Sequence, residues 1–291
     1  MKPAVTRRQL MVGAASGAVM LATPAWATVS ARDDFRQLES ELGGRLGLWA
    51  LDTGDHRVMS YRDGERFPFC STFKVLLVGA ILQQSQVQPG LLKQHIVYGN
   101  DQLVTYSPIT EQHVEAGMSV EDLCAAGLQY SDNTAANLLM RIVGGPSAVT
   151  AYARTLGDAM FRLDRYEPAL NSAILDDPRD TTTPQAMGAS LQRLALGEAL
   201  EPEARERLQT WLKGNTTGGA RIRAAVPGGW VVADKTGSGD FGVANDVGII
   251  WPPGRAPWIV SIYTQGRDHA APMRNDIIAA AAGIVIRAWA S

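Results

Sequence analysis

Three short motifs carry side chains able to do chemistry. Ser71-Thr72-Phe73-Lys74 sets a hydroxyl and an amine three residues apart. Serine becomes a nucleophile at neutral pH only beside a group that takes its proton. Positions i and i+3 share a helix face, so on a helix the Lys74 amine can reach the Ser71 hydroxyl. A helix start also offers unpaired N–H groups and positive dipole character. This is the only Ser-x-x-Lys in the chain. Ser131-Asp132-Asn133 precedes a helical run, and Lys235-Thr236-Gly237-Ser238 ends a predicted strand. Each motif alone has a plainer account: a helix start with a solvated lysine, an ordinary N-cap, a strand running into a Gly-rich turn.

The surrounding pattern says what must hold these motifs. Residues 33–42 read as an amphipathic helix through Phe35, Leu38 and Leu42, stopped by Gly43-Gly44. Residues 45–51 and 57–61 read as two strands joined by a turn at 52–55. Helical periods then dominate over 71–84, 119–129, 133–143, 146–156, 183–196 and 202–213. Ser119 and Thr183 are placed as N-caps, with Pro184 opening its helix. Residues 157–182 hold Pro168, Pro178 and many charges without a period, and a loop that long in a compact unit is usually functional. Strands return at 230–235, 246–251 and 258–263, with Pro252-Pro253-Gly254 turning between the last two, and 271–290 is a final helix.

Strands therefore flank a helical middle. The expected class is α+β, with one sheet assembled from both parts of the chain. We expect a discontinuous α/β domain at 28–66 and 214–291, an all-helical domain at 67–213 containing the loop 162–180, and a ligand cleft between them.

A formal charge of −2 leaves no basic excess for a phosphate backbone, which argues against nucleic acid as a partner. Two cysteines are too few for a disulfide framework. His56, His95, His113 and His269 form none of the close pairs of helical zinc motifs. Residues 1–27 read as an export signal: Lys2, Arg7 and Arg8, an apolar run, then Ala25-Trp26-Ala27 as a cleavage pattern. Thr6-Arg7-Arg8-Gln9-Leu10 resembles a twin-arginine signal. Cleavage before Thr28 removes three positive charges and no acid, taking the formal charge from −2 to −5. No second apolar stretch is long enough to span a bilayer, so a periplasmic or secreted protein without a membrane anchor is expected.

Together and in this order, the three motifs resemble those of the class A serine β-lactamases. The resemblance covers nearly all of residues 30–290, including Arg165-Tyr166-Glu167-Pro168-Ala169-Leu170-Asn171 in the long loop and Asp177-Pro178-Arg179-Asp180 near its end. It implies the serine β-lactamase and penicillin-binding fold, an antiparallel sheet flanked by helices plus a helical lobe. It implies an enzyme that opens β-lactam rings and confers antibiotic resistance. Ser71 would be the acylated nucleophile, Lys74 would help take its proton, and Ser131 would pass a proton to the β-lactam nitrogen. Asn133 would bind the substrate's side-chain amide and help hold Lys74. Lys235, Thr236 and Ser238 would bind the substrate carboxylate, and the backbone N–H groups of Ser71 and Ser238 would form the oxyanion hole. Glu167 with Asn171 would position and deprotonate the water that frees the enzyme. The resemblance further implies a cis Glu167–Pro168 bond, an Arg165–Asp180 ion pair across the loop, and Tyr106 on the cleft wall. Side chains supply every role, so no metal or organic cofactor is implied, and the partner is a small β-lactam met by a monomer.

Two departures stand out. Where many members carry an arginine for the carboxylate, this chain has Ala244, and Arg221 is expected to supply a bidentate guanidinium from a neighbouring strand instead. Some members bond cysteines at the positions of Cys70 and Cys124, but the partner positions here are Gly239 and Val78, so two free, buried thiols are expected. The rival functions are a peptidoglycan D,D-peptidase and a non-turnover penicillin-binding sensor, which share Ser71, Lys74, Ser131 and Lys235 but do not need Glu167. A GxSxG esterase is disfavoured because no such elbow occurs.

Overall fold

A computed structural model describes residues 25–290. Helix α1 (Ala25–Leu42) leads into strands β1 (Arg45–Asp52) and β2 (Val58–Tyr61). The short β3 (Phe67–Pro68) delivers the chain to a 3-10 turn, Cys70–Phe73, which runs into α2 (Lys74–Val87). Two-residue strands β4 (His95–Ile96) and β5 (Met118–Ser119) precede α3 (Val120–Gln129), α4 (Asn133–Val143) and α5 (Pro146–Thr155). After the long loop come β6 (Thr181–Thr182), α6 (Pro184–Ala195), α7 (Pro202–Lys213) and the one-turn α8 (Ile222–Ala225). Strands β7 (Val231–Gly239), β8 (Val243–Trp251) and β9 (Trp258–Gln265) and helix α9 (Asn275–Ala290) complete the described residues.

The sheet is antiparallel, in the order β2-β1-β9-β8-β7. Its two faces bury different cores. Leu46, Leu48, Ala50, Val260 and Ile262 pack with Ile277, Ile278, Ala281 and Val285 of α9. Trp49, Leu51, Val247, Ile249 and Ile259 pack with side chains of α2, α4 and α6. Because helices cover both faces, β1, β8 and β9 are buried almost end to end. That burial explains their near-continuous apolar runs in place of an alternating pattern.

Most of the expected elements are found, with Ser119 and Thr183 acting as N-caps that accept from Asp122 N and Ala186 N. Three local differences matter for the site. The helix expected from residue 71 starts with a tighter 3-10 turn, a common form at a helix terminus. Strand β7 does not stop at Lys235 but carries the whole Lys235-Thr236-Gly237-Ser238 motif as strand, paired Lys235 to Val247 and Ser238 to Ala244. Arg221 lies on no strand. It occupies the N-cap position of α8.

Gly237 shows why the motif needs a glycine. A β-carbon there would lie 2.6 Å from the Phe69 carbonyl oxygen, so the turn bearing Ser71 packs directly on the strand backbone. The expected cleavage after Ala27 falls within the first turn of α1, while the remainder of the expected signal lies outside the described residues. Among the described residues no helix is long and apolar enough to cross a membrane.

Candidate active site

Helix and sheet deliver their motifs to one spot. The Lys74 ammonium, fully buried, donates to Ser71 Oγ at 3.0 Å, to the Ser131 carbonyl at 2.8 Å and to Asn133 Oδ1 at 2.7 Å. Glu167 Oε1 lies 3.1 Å from the same nitrogen. Four acceptors thus compete for three N–H bonds. Ser71 in turn donates toward Glu167 Oε1 at 3.4 Å. Burial lowers the proton affinity of Lys74, and the Glu167 charge opposes that shift.

The long loop holds Glu167 from several sides. Asn171 donates to Glu167 Oε2 at 2.5 Å, while its own buried Oδ1 has no partner within the protein. The Glu167–Pro168 bond is cis. Asp180 closes the loop: one oxygen accepts from Arg165 Nε at 2.5 Å and the other from the Asp164 and Arg165 amides. The Asp180 carbonyl then accepts from Phe69 N at 3.1 Å, joining the loop to the turn that carries Ser71.

Asn137 was not foreseen. Its amide donates to the Glu167 carbonyl and accepts from the Glu167 N–H, each at 2.9 Å. It lies four residues after Asn133 on α4, so one helix face serves both Lys74 and Glu167. The i, i+4 pair of asparagines at the start of a largely apolar helix was the available signal. Asp132 reconciles two accounts of its motif. It caps α4 by accepting from Ala135 N at 2.8 Å, and it accepts from Ile109 N, Thr110 N and Thr110 Oγ1, fixing the neighbouring loop. That loop carries Tyr106, which is 56% exposed and whose carbonyl accepts from Asn133 N.

The opposite wall is the edge strand β7. Lys235, fully buried, donates to Ser131 Oγ at 2.9 Å and to the Thr236 carbonyl at 2.8 Å. Ser131 therefore meets both lysines, one at its carbonyl and one at its hydroxyl, from a left-handed backbone with φ +61°. Such a conformation in a non-glycine residue costs on the order of 1 kcal/mol and persists only where its surroundings impose it. Ser238 is exposed beside the cleft, and its hydroxyl accepts from Arg221 Nη2 at 2.7 Å.

Arg221 does not present the open fork expected of it. Nε donates to Asn275 Oδ1, and Nη1 donates to the carbonyls of Gly237 and Asn245, at 2.6–2.8 Å. The guanidinium is 5% exposed, and it meets the cleft through the Ser238 hydroxyl. Ala244, noted above as a departure from the expected pattern, is buried on β8 opposite Ser238. Cys70 and Cys124 are both free and buried, and burial pushes each thiol up, away from thiolate chemistry.

The comparisons with known proteins agree with this arrangement. The profile of the beta-lactamase enzyme family matches residues 30–289. Beta-lactamase CTX-M-8 of Citrobacter amalonaticus is 49% identical over 286 residues, covering 98% of each chain. The carbapenem-hydrolyzing beta-lactamase KPC of Klebsiella oxytoca is 50% identical over 255 residues, covering 87% of each. Among solved structures, a beta-lactamase from Desulfarculus baarsii superposes with a TM-score of 0.88 at 56% identity, covering 89% of this chain and 97% of that one. A beta-lactamase from Burkholderia phymatum also gives 0.88, at 49% identity, covering 90% of this chain and 99% of its own. With the family profile spanning nearly all of the described residues and relatives matching at about half identity along almost the whole chain, this protein belongs to the class A serine β-lactamases.

Proposed function

We propose that this β-lactamase works through an ester to Ser71 that water clears with the help of Glu167. Ser71 Oγ attacks the lactam carbonyl carbon, and its proton passes to the Lys74–Glu167 pair. The ring C–N bond breaks, and the departing nitrogen takes a proton through Ser131. Water then attacks the ester, its proton goes to Glu167, and the Ser71 oxygen leaves as it regains a proton. The Ser71 and Ser238 amides stabilise the oxyanion at both stages.

One observation carries this reading. The Glu167 carboxylate, fully buried, sits within 3.4 Å of the nucleophilic oxygen and 3.1 Å of the Lys74 nitrogen. A penicillin sensor or peptidase has no use for a carboxylate held there. The unpartnered Asn171 Oδ1 adds support, since a buried acceptor of this kind suits a water.

The substrate carboxylate is assigned to Lys235, Thr236 and Ser238, with Arg221 orienting the Ser238 hydroxyl. Asn133 and Tyr106 are assigned to the substrate's amide side chain and the cleft wall. We further propose export through residues 1–27 to the periplasm and action as a monomer, checked by a mature N-terminus at Thr28 and by solution mass. The mechanism is tested by mixing enzyme with excess chromogenic cephalosporin. Repeated turnover supports hydrolysis, and a single stoichiometric burst refutes it. Glu167→Ala is expected to accumulate the covalent adduct by intact mass, and full turnover in that variant would remove Glu167 from the second step.

A further inference from the structure

Behind the β7 wall lies a chain of polar groups that the mechanism above does not use. Thr236 Oγ1 lies 2.5 Å from Thr217 Oγ1. Thr217 Oγ1 donates to Asn215 Oδ1 at 2.8 Å, and Thr217 N donates to the same oxygen at 3.0 Å. Asn215 is buried, and its Nδ2 has no hydrogen-bond partner. Near that nitrogen is the buried, unpartnered Asp234 Oδ2: a β-carbon at Gly218 would touch both, at 3.0 and 1.9 Å.

Counting protons along this chain gives a result that distances alone do not. The Asn215 amide cannot be turned over, because Thr217 N can only donate and must face oxygen. Thr217 has a single hydroxyl proton. With that proton on Asn215, two hydroxyl oxygens 2.5 Å apart still need one proton between them, so Thr236 must donate to Thr217. Thr236 then offers the cleft only lone pairs, which repel a carboxylate. With both hydroxyls rotated the other way, Thr217 donates to Thr236 and the Thr236 proton points into the cleft. Asn215 Oδ1 retains the Thr217 N–H throughout. The exchange gives up a neutral hydrogen bond for a charge-assisted one, which is roughly twice as strong. Aligned hydroxyls also polarise one another.

We propose that Thr217, oriented by Asn215, is a positioning residue for the substrate carboxylate: it holds Thr236 as an acceptor toward the cleft in the free site and lets it turn donor as the anion arrives. This inference rests on the assignment of Thr236 to the carboxylate, and its test separates the two. The two threonine hydroxyls, at 217 and 236, rotate together, and no proton leaves its oxygen.

The experiment compares Thr217→Val, Thr217→Ser and Thr236→Val on a cephalosporin and on the methyl ester of its ring carboxylate. The ratio of kcat/KM on acid to kcat/KM on ester divides out the fraction of folded enzyme. Thr217→Val leaves Thr236 free to donate and removes the neutral bond given up on binding, so it is expected to raise that ratio by about five- to tenfold, through KM more than kcat. Thr217→Ser, which keeps the hydroxyl, is expected to restore the ratio to within about threefold. A ratio that stays or falls in Thr217→Val, or a rise that serine shows equally, would overturn the relay. If Thr236→Val treats acid and ester alike, the carboxylate assignment itself fails. If Thr236→Val discriminates and Thr217→Val does not, the relay alone is wrong.

Discussion

Two buried lysines face each other across Ser131 in different electrostatic surroundings. Lys74 has a carboxylate at 3.1 Å, whereas Lys235 donates only to the neutral Ser131 hydroxyl and Thr236 carbonyl. Burial lowers the proton affinity of both. For Lys74 the Glu167 charge opposes that shift, and for Lys235 the Lys74 charge deepens it, with Asp234 and Asp246 giving back a part. One lysine is electrostatically complete before substrate binds, and the other awaits an anion. A site built this way suits a chemistry whose proton carriers must be ready in advance and whose ligand brings its own negative charge.

The contrast can be broken from either side. The largest expected effect is at the complete half: Glu167→Gln keeps the shape but not the charge, and kcat should fall by about 10²–10⁴ while acylation continues. Burst kinetics with intact mass measure both, and an unchanged deacylation rate would refute the role. Next comes the incomplete half. Lys235→Ala should raise KM for a carboxylated substrate by about tenfold or more, as loss of a buried charge–charge contact predicts. Because the Lys235 ammonium sheds its proton more readily than an ordinary lysine, kcat/KM should decline on the alkaline side below the usual lysine value of about 10.4. A bound carboxylate holds that proton, so the limb in kcat should lie higher. Lys235→Arg should move the limb in kcat/KM upward, and a limb at the same pH in that variant would assign it to another group.

A third, smaller effect lies in stability. Burial, and then the charge of Asp234, raise the Asp246 carboxyl well above the usual carboxylate range. The native state therefore holds a proton that the unfolded chain releases near pH 4. Native protein binding more protons makes stability fall as pH rises from about 4 toward the native value, by at most about 1.4 kcal/mol per pH unit. Asp246→Asn should flatten that fall, read as a smaller difference in Tm between pH 5 and pH 7. An unchanged difference would mean that Asp246 is already ionised. The smallest effect is expected at the exposed pair Arg179–Asp177, where the arginine holds the carboxyl down at about 2. Arg179→Ala should leave kcat and Tm unchanged within error, whereas Asp180→Asn, which removes the buried charge facing Arg165, should lower Tm measurably.

What the sequence made legible follows from how each feature is encoded. The three motifs and the loop segment around Glu167 are local strings, and the helices of the middle region have clear periods and caps. Strand β8 begins at Val243, three residues before the expected start at Asp246, and so takes in Asn245 and Asp246. Both are fully buried. Asn245 donates to the Pro68 carbonyl, and Asp246 accepts from Ile222 N. On a sheet covered on both faces, polar residues mark specific contacts and not edges. Arg221 is a different case. Its residue type suits a carboxylate, but only the fold shows that carbonyls of β7 and β8 already occupy Nη1. The last step of the Asn215–Thr217–Thr236 chain joins residues 19 apart along the sequence, and no local string announces it.

Helix α4 has a consequence for how the enzyme fails. Asn133 and Asn137 tie the amine and the acid to the same rigid rod, the latter by two hydrogen bonds to the Glu167 backbone. Warming cannot ease the acid away from the amine by degrees, since both bonds must open together or the rod itself must dissolve. Heated gradually, the catalyst should show the ordinary thermal rise in rate per folded molecule up to the melting transition and then lose activity abruptly.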